Sequence, residues 1–119
     1  MLNLATTLIG FVAMVFLLAV PVCAQADATA AQSIAGAGGR IIGAAKACGI
    51  DPVELVTATK HVFAAATQRA ISDFDRGTLH IIFSDGYNVG IDDITSGRSN
   101  CEDARGDLTK IENEVRGDN

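Results

Sequence analysis

The sequence predicts a small all-α domain of four helices, or of three helices and a hairpin, stapled by one disulfide and preceded by a cleaved signal peptide. Three observations predict it. An uncharged apolar run, Leu8 to Val20, ends at Pro21 and is followed by small residues. Downstream, apolar residues recur mostly at helical rather than strand spacing. Once the leader is removed, two of the three cysteines remain, Cys48 and Cys101. At 119 residues the chain has room for one domain and no second core.

The leader is read from its length and its exit. The apolar run is thirteen residues, against about twenty for a helix that crosses the hydrocarbon core. Val22-Cys23-Ala24 and Ala24-Gln25-Ala26 present the residues a signal peptidase accepts. Cleavage is expected after Ala24 or Ala26, leaving residues 1–24 as signal peptide and residues 27–119 as the domain. No Lys or Arg precedes the run, so the amino terminus and Asn3 form its polar start. Lipidation of Cys23 is not expected, because Val22 after Pro21 stands where a small residue is needed. The expected compartment is the periplasm or the exterior of a bacterial cell, with no stable membrane span after processing.

Export and the cysteine count support each other, since an oxidising compartment lets Cys48 and Cys101 pair. On the chain-entropy model such a closure stabilises a fold by about 4 kcal/mol. No Cys-x-x-Cys is present and neither histidine stands at ligand spacing from a cysteine, so the pair reads as structural.

The first helix is expected over Ala28 to Cys48, with Ile34, Ile41, Ala45 and Cys48 on one stripe. Gly36, Gly38, Gly39 and Gly43 each cost it about 1 kcal/mol relative to Ala, so tertiary packing must hold it. Ala35, Gly39, Gly43 and Ala47 recur every four residues as a small-residue ridge on which another helix can lie closely. That helix can belong to this chain or to a second one. The second helix follows Gly49, with Asp51 as cap, Pro52 in first position and Glu54 as reciprocal partner. Its expected face is Val56, Thr59, Phe63, Ala66, Ala70 and Phe74, flanked by Leu55, Val62 and Ile71.

Residues 78–93 carry two competing signals. Asp85-Gly86 between two apolar runs suggests a hairpin. Leu79, Ile82, Phe83, Gly86, Tyr87 and Gly90 also share one helical face, and a lone hairpin is marginal without cover, so a helix fits better. In the last helix, Ser99 is the expected cap with Glu102 as partner. Cys101, Ala104, Leu108, Ile111 and Val115 form its stripe.

Little in the chain suggests chemistry. The glycine-rich segment 36–43 lacks the Lys-Ser or Lys-Thr of a phosphate loop, and Ser84-Asp85-Gly86 lacks the flanking glycine of a nucleophile elbow. His80 with Asp75 or Asp85 is a candidate base and orienting acid, but no nucleophile is placed with them. His61 reads as a boundary residue, and Asp85, Asn88, Asp92 and Asp93 do not follow the spacing of a calcium loop. No metal or cofactor is expected. Arg105-Gly106-Asp107 and Arg116-Gly117-Asp118 read as helix-surface charges and a fraying end.

Charge narrows the partners. The net charge is −5, and from Asp85 onward nine acids face four bases. Nucleic acid is therefore not expected as a partner. The layout, a leader and then four helical segments with a cysteine near the end of the first and another opening the last, resembles small periplasmic proteins of Gram-negative bacteria. Acid-activated periplasmic chaperones are similar in size and in the span of their single disulfide. The leading expectation is a non-enzymatic protein that binds another envelope protein or itself, with Ala35, Gly39, Gly43, Phe83 and Tyr87 as interface candidates. A stress chaperone loosened by protonation of the acidic third, and a small hydrolase using His80, are the alternatives.

Overall fold

The structure is a computed structural model that describes residues 28–117; the expected leader and its cleavage sites lie outside the described residues. Among those residues it is all-helical: α1 (Ala30–Ala47), α2 (Pro52–Arg69), α3 (Asp73–Thr95) and α4 (Cys101–Gly117). The stretch with two competing signals is helical throughout, as part of α3.

Local chemistry sets the helix ends. Thr29 caps α1 in a reciprocal box with Gln32. Gly49, at φ +77°, ends α1. The Ile50 N–H donates to Ala45 O (3.2 Å) and the Gly49 N–H to Lys46 O (3.1 Å), the paired closure of a left-handed helix stop. Asp51 caps α2 by accepting from the Val53 N–H at 2.8 Å, with Pro52 in first position.

Two boundaries differ from the sequence expectation. α2 stops at Arg69, where Ala70 turns extended, and Ser72 starts α3 by accepting from the Asp75 N–H at 3.0 Å. Phe74 therefore belongs to α3 and is 77% exposed. α4 is capped by Asn100, not Ser99: Asn100 Oδ1 accepts from the Asp103 N–H at 2.8 Å and Asn100 Nδ2 donates to Asp103 Oδ2 at 3.0 Å. Glu54, expected to complete the α2 cap, instead reaches Arg105 of α4 at 2.7 Å. A long carboxylate gains more from a guanidinium than from one exposed amide.

α1 is the central helix. Ala31, Ala35, Gly38, Gly39 and the run Ile42 to Ala45 are buried, so its buried surface is much wider than the expected stripe. α3 lies parallel to it, because Thr29 meets Asp75 near both N-termini and Arg40 meets Asp93 further along. The parallel pair makes the closest approach in the fold. A Cβ on Gly39 or Gly43 would strike the carbonyl oxygen of Phe83 or Tyr87, and one on Gly86 or Gly90 would strike that of Gly36 or Arg40. Four glycines, two on each helix, thus admit the opposite backbone, a geometry in which Cα–H groups sit against carbonyls. The small-residue ridge is filled from within the chain.

α2 and α4 run antiparallel to α1. Ile42 and Ala45 of α1, Leu55, Ala58 and Val62 of α2 and Leu108 of α4 form one buried cluster. Ala31 and Ala35 with Ala66 and Leu79 form a second. On α2 the buried face is Leu55, Ala58, Val62 and Ala66, rotated from the expected one, and Val56 is 54% exposed. Ala104 and Leu108 are buried and Ile111 is half-buried, while the side chain of Val115 lies outside those described. Cys48 and Cys101 are disulfide-bonded, with Cα atoms 5.5 Å apart.

The glycines provide a direct check. Gly77 and Gly106 lie inside helices with nothing within 4 Å of an added Cβ, so Ala at either position raises stability by about 0.5–1 kcal/mol. Gly43→Ala and Gly90→Ala force two backbones apart and lower it by about 1–3 kcal/mol. Chemical denaturation of the four variants should give opposite signs for the two pairs.

Candidate groove between α2 and α3

Because α1 occupies the centre, the outer helices meet each other little, and the structure opens grooves between them. The groove between α2 and α3 holds about 320 Å³ and is floored by Ile42 and Leu55. Thr59 and the exposed Val56 form one wall, Tyr87 the other, and the exposed Lys46 and Lys60 stand at its rim. An aromatic row continues it along the same seam. His80 stacks on Phe63 with centroids 4.5 Å apart, Phe63 meets Phe83 at 4.9 Å, and Phe83 meets Tyr87 at 6.3 Å. Rings fill this gap because α2 and α3 are held apart by α1 behind them, and tilted or offset ring pairs are favourable at such spacings.

Phe83 and Tyr87 are half-buried in this seam. Ala35, Gly39 and Gly43 are buried beneath α3 and α2. The five interface candidates thus fall into two groups, three inside the bundle and two along the groove.

The groove between α3 and α4 is polar and holds about 490 Å³. Its centre is Asp93, 8% exposed at the side chain, which accepts from Arg40 Nε at 2.7 Å and Arg98 Nε at 3.1 Å. Arg98 also pairs with Asp92. The Arg40 guanidinium, and after it Arg98, hold the Asp93 carboxyl below the usual carboxylate range. Asp93 carries structure as well as charge, since its backbone carbonyl accepts from the Ser99 N–H at 2.9 Å. Glu54 is likewise held low, first by Arg105 and then by a hydrogen bond with Glu112.

The helical conformation of α3 separates the proposed acid–base groups. Five residues along a helix amount to about 140° round its axis, so Asp75 and Asp85 both point well away from His80. Asp75 is 2% exposed and its oxygens are taken: Oδ1 accepts from the Thr29 hydroxyl at 2.7 Å and Oδ2 from the Ile71 N–H at 3.1 Å. It joins the N-termini of α1 and α3. His80 is exposed and its ring lies against Phe63. His61 is half-buried at the lip of a third groove, between α2 and α4. Among the described residues no group of three or more His, Cys, Asp or Glu is placed to hold a metal ion.

No family model, curated protein or solved structure matches this chain. What the chain does must therefore be argued from its own surface.

The structural roles of Asp75 and Asp93 are missing from the sequence reading for different reasons. Ser72-x-x-Asp75 is a legible start signal, hidden because Ala70, Ile71 and Phe74 continue the apolar spacing of α2 across it. Nothing local marks Asp93, whose decisive partner, Arg40, is 53 positions away.

Acid tests this polar centre. The folded pKa of Asp93 lies below its unfolded value, so as pH falls the unfolded chain takes up the proton first. The stabilisation is present above about pH 4 and is lost as pH falls through the folded value. Asp93→Asn should melt at a lower temperature than the unsubstituted protein at pH 7, and the gap should narrow towards pH 3.

Proposed function

We propose that the chain is an exported precursor whose mature helical domain binds another protein, with the α2–α3 groove as the receiving surface. The observation that carries this reading is the groove itself: apolar and aromatic side chains left uncovered between two helices that barely touch. Such a lining receives the apolar face of a partner segment, most simply an amphipathic helix. Charge narrows the partner further. Lys46 and Lys60 give this rim a positive character on a chain of net charge −5, so the segment that fits carries Asp or Glu beside its apolar face. A stapled fold in an oxidising compartment suits a binding module, because a rigid groove loses less entropy when it is filled.

Export is supported by the Leu8 to Val20 run with its small-residue exit and by the formed disulfide. Among the described residues no helix is long and apolar enough to cross a membrane. Expression of the full precursor in a Gram-negative host, with intact-mass analysis of the periplasmic fraction, should give a product cut after Ala24 or Ala26. Its two cysteines should alkylate only after reduction. An uncut chain with free thiols removes the export reading.

The binding reading has its own test. A photo-crosslinker at position 56, on the exposed groove wall, should capture a partner through an apolar segment bearing acidic residues. Lys46→Glu with Lys60→Glu should weaken capture at least tenfold without changing the melting temperature by more than a few degrees. Undiminished capture by the charge-reversed protein sinks this reading, and capture of a second copy reassigns the groove to self-association.

A further inference from the structure

The groove between α2 and α4 is different in kind. It holds about 260 Å³, larger than the engineered cavity of about 150 Å³ that takes up benzene. Its walls are apolar: Ile34, Ala37 and Ile41 of α1, Val62 and Ala65 of α2, and Ile111 of α4. The space exists for two reasons. Gly38 lets α1 close on α2, since a Cβ there would come within 2.5 Å of Val62 Cγ1. Above that contact both walls carry alanine, at positions 37 and 65, where larger side chains would fill the slot. Polarity is confined to the lip, where half-buried His61 and exposed Glu114 stand.

We infer that this slot binds a small amphiphile with an apolar body and a cationic amine head. The body displaces water from the apolar walls, which is favourable because that water has few partners there. An ammonium head carries only donors, and the lip offers the matching acceptors: the Glu114 carboxylate and an imidazole nitrogen of His61. The helix that bears Glu114 is net negative, with Glu102, Asp103, Asp107, Glu112 and Glu114 against Arg105, Lys110 and Arg116. A carboxylate head of the same length meets like charge and is disfavoured. This site shares no wall residue with the α2–α3 groove, so the two stand or fall separately.

Octylamine and octanoate, each kept below its aggregation threshold, are the probes. Protein purified after expression of the full chain, with labelled isoleucine methyl groups, reports the site directly. Octylamine should shift the Ile34, Ile41 and Ile111 methyls saturably and leave exposed Ile71 and Ile81 unmoved, while octanoate binds at least tenfold more weakly. Glu114→Gln should bring the two ligands within about threefold of each other. Ala65→Phe should abolish the shifts while keeping the fold. Absence of saturation, shifts gathered at Ile71 and Ile81, or octanoate bound as well as octylamine each overturn the inference, and all three are read on the unsubstituted protein.

Discussion

The backbone contact between α1 and α3 is the constraint on which the rest depends. Two helices can approach to carbonyl contact only where neither carries a side chain, and here four glycines interleave, Gly39 and Gly43 of α1 with Gly86 and Gly90 of α3. Dispersion is gained over a long, close seam, but the glycine contacts themselves bury no side chain. Polar anchors secure it instead. Thr29 and Asp75 join the N-terminal ends, and Arg40 with Asp93 fixes the pair further along. Buried carboxylates are costly unless their oxygens are satisfied, and the oxygens of both of these are.

That economy of side chains shapes the surface. With α3 drawn tightly onto α1, the other two helices pack on the remaining flank, and Leu108 and Ile42 carry the core there. The outer helices then lie too far apart to seal against one another. Grooves of unlike character result: one apolar and aromatic with a basic rim, one polar round Asp93, one apolar with an acidic lip. The grooved surface of this chain is thus a by-product of how its central helix is packed.

Much of the framework was legible from residue pattern alone. Asp51-Pro52, the cysteine pair and the Ala104-Leu108-Ile111 stripe are signals whose physics is local or nearly so. The small-residue ridge was legible as a place of close approach, though not the identity of what approaches. Rotation of the α2 face was not legible, because Val56 and Leu55 are equally apolar and only the positions of α1 and α4 decide which is buried. The end of α2 was obscured for a related reason, since Ala70, Ile71 and Phe74 prolong an apolar pattern across a break set by Ser72. The α2–α3 groove was visible only as the pair Phe83 and Tyr87. Its lysine rim and the Phe63–His80 stack depend on elements brought together by the fold.

The disulfide has a topological consequence. Cys48 closes the end of α1 onto the start of α4, so α2, α3 and their connections form a covalent ring with a tail at each side. A single cut in an exposed connection within that ring, such as the one between α2 and α3, opens the ring without separating the pieces. The molecule would keep its mass, plus one water, and fall into two only on reduction. The bond then preserves the integrity of a nicked molecule as well as the stability of an intact one.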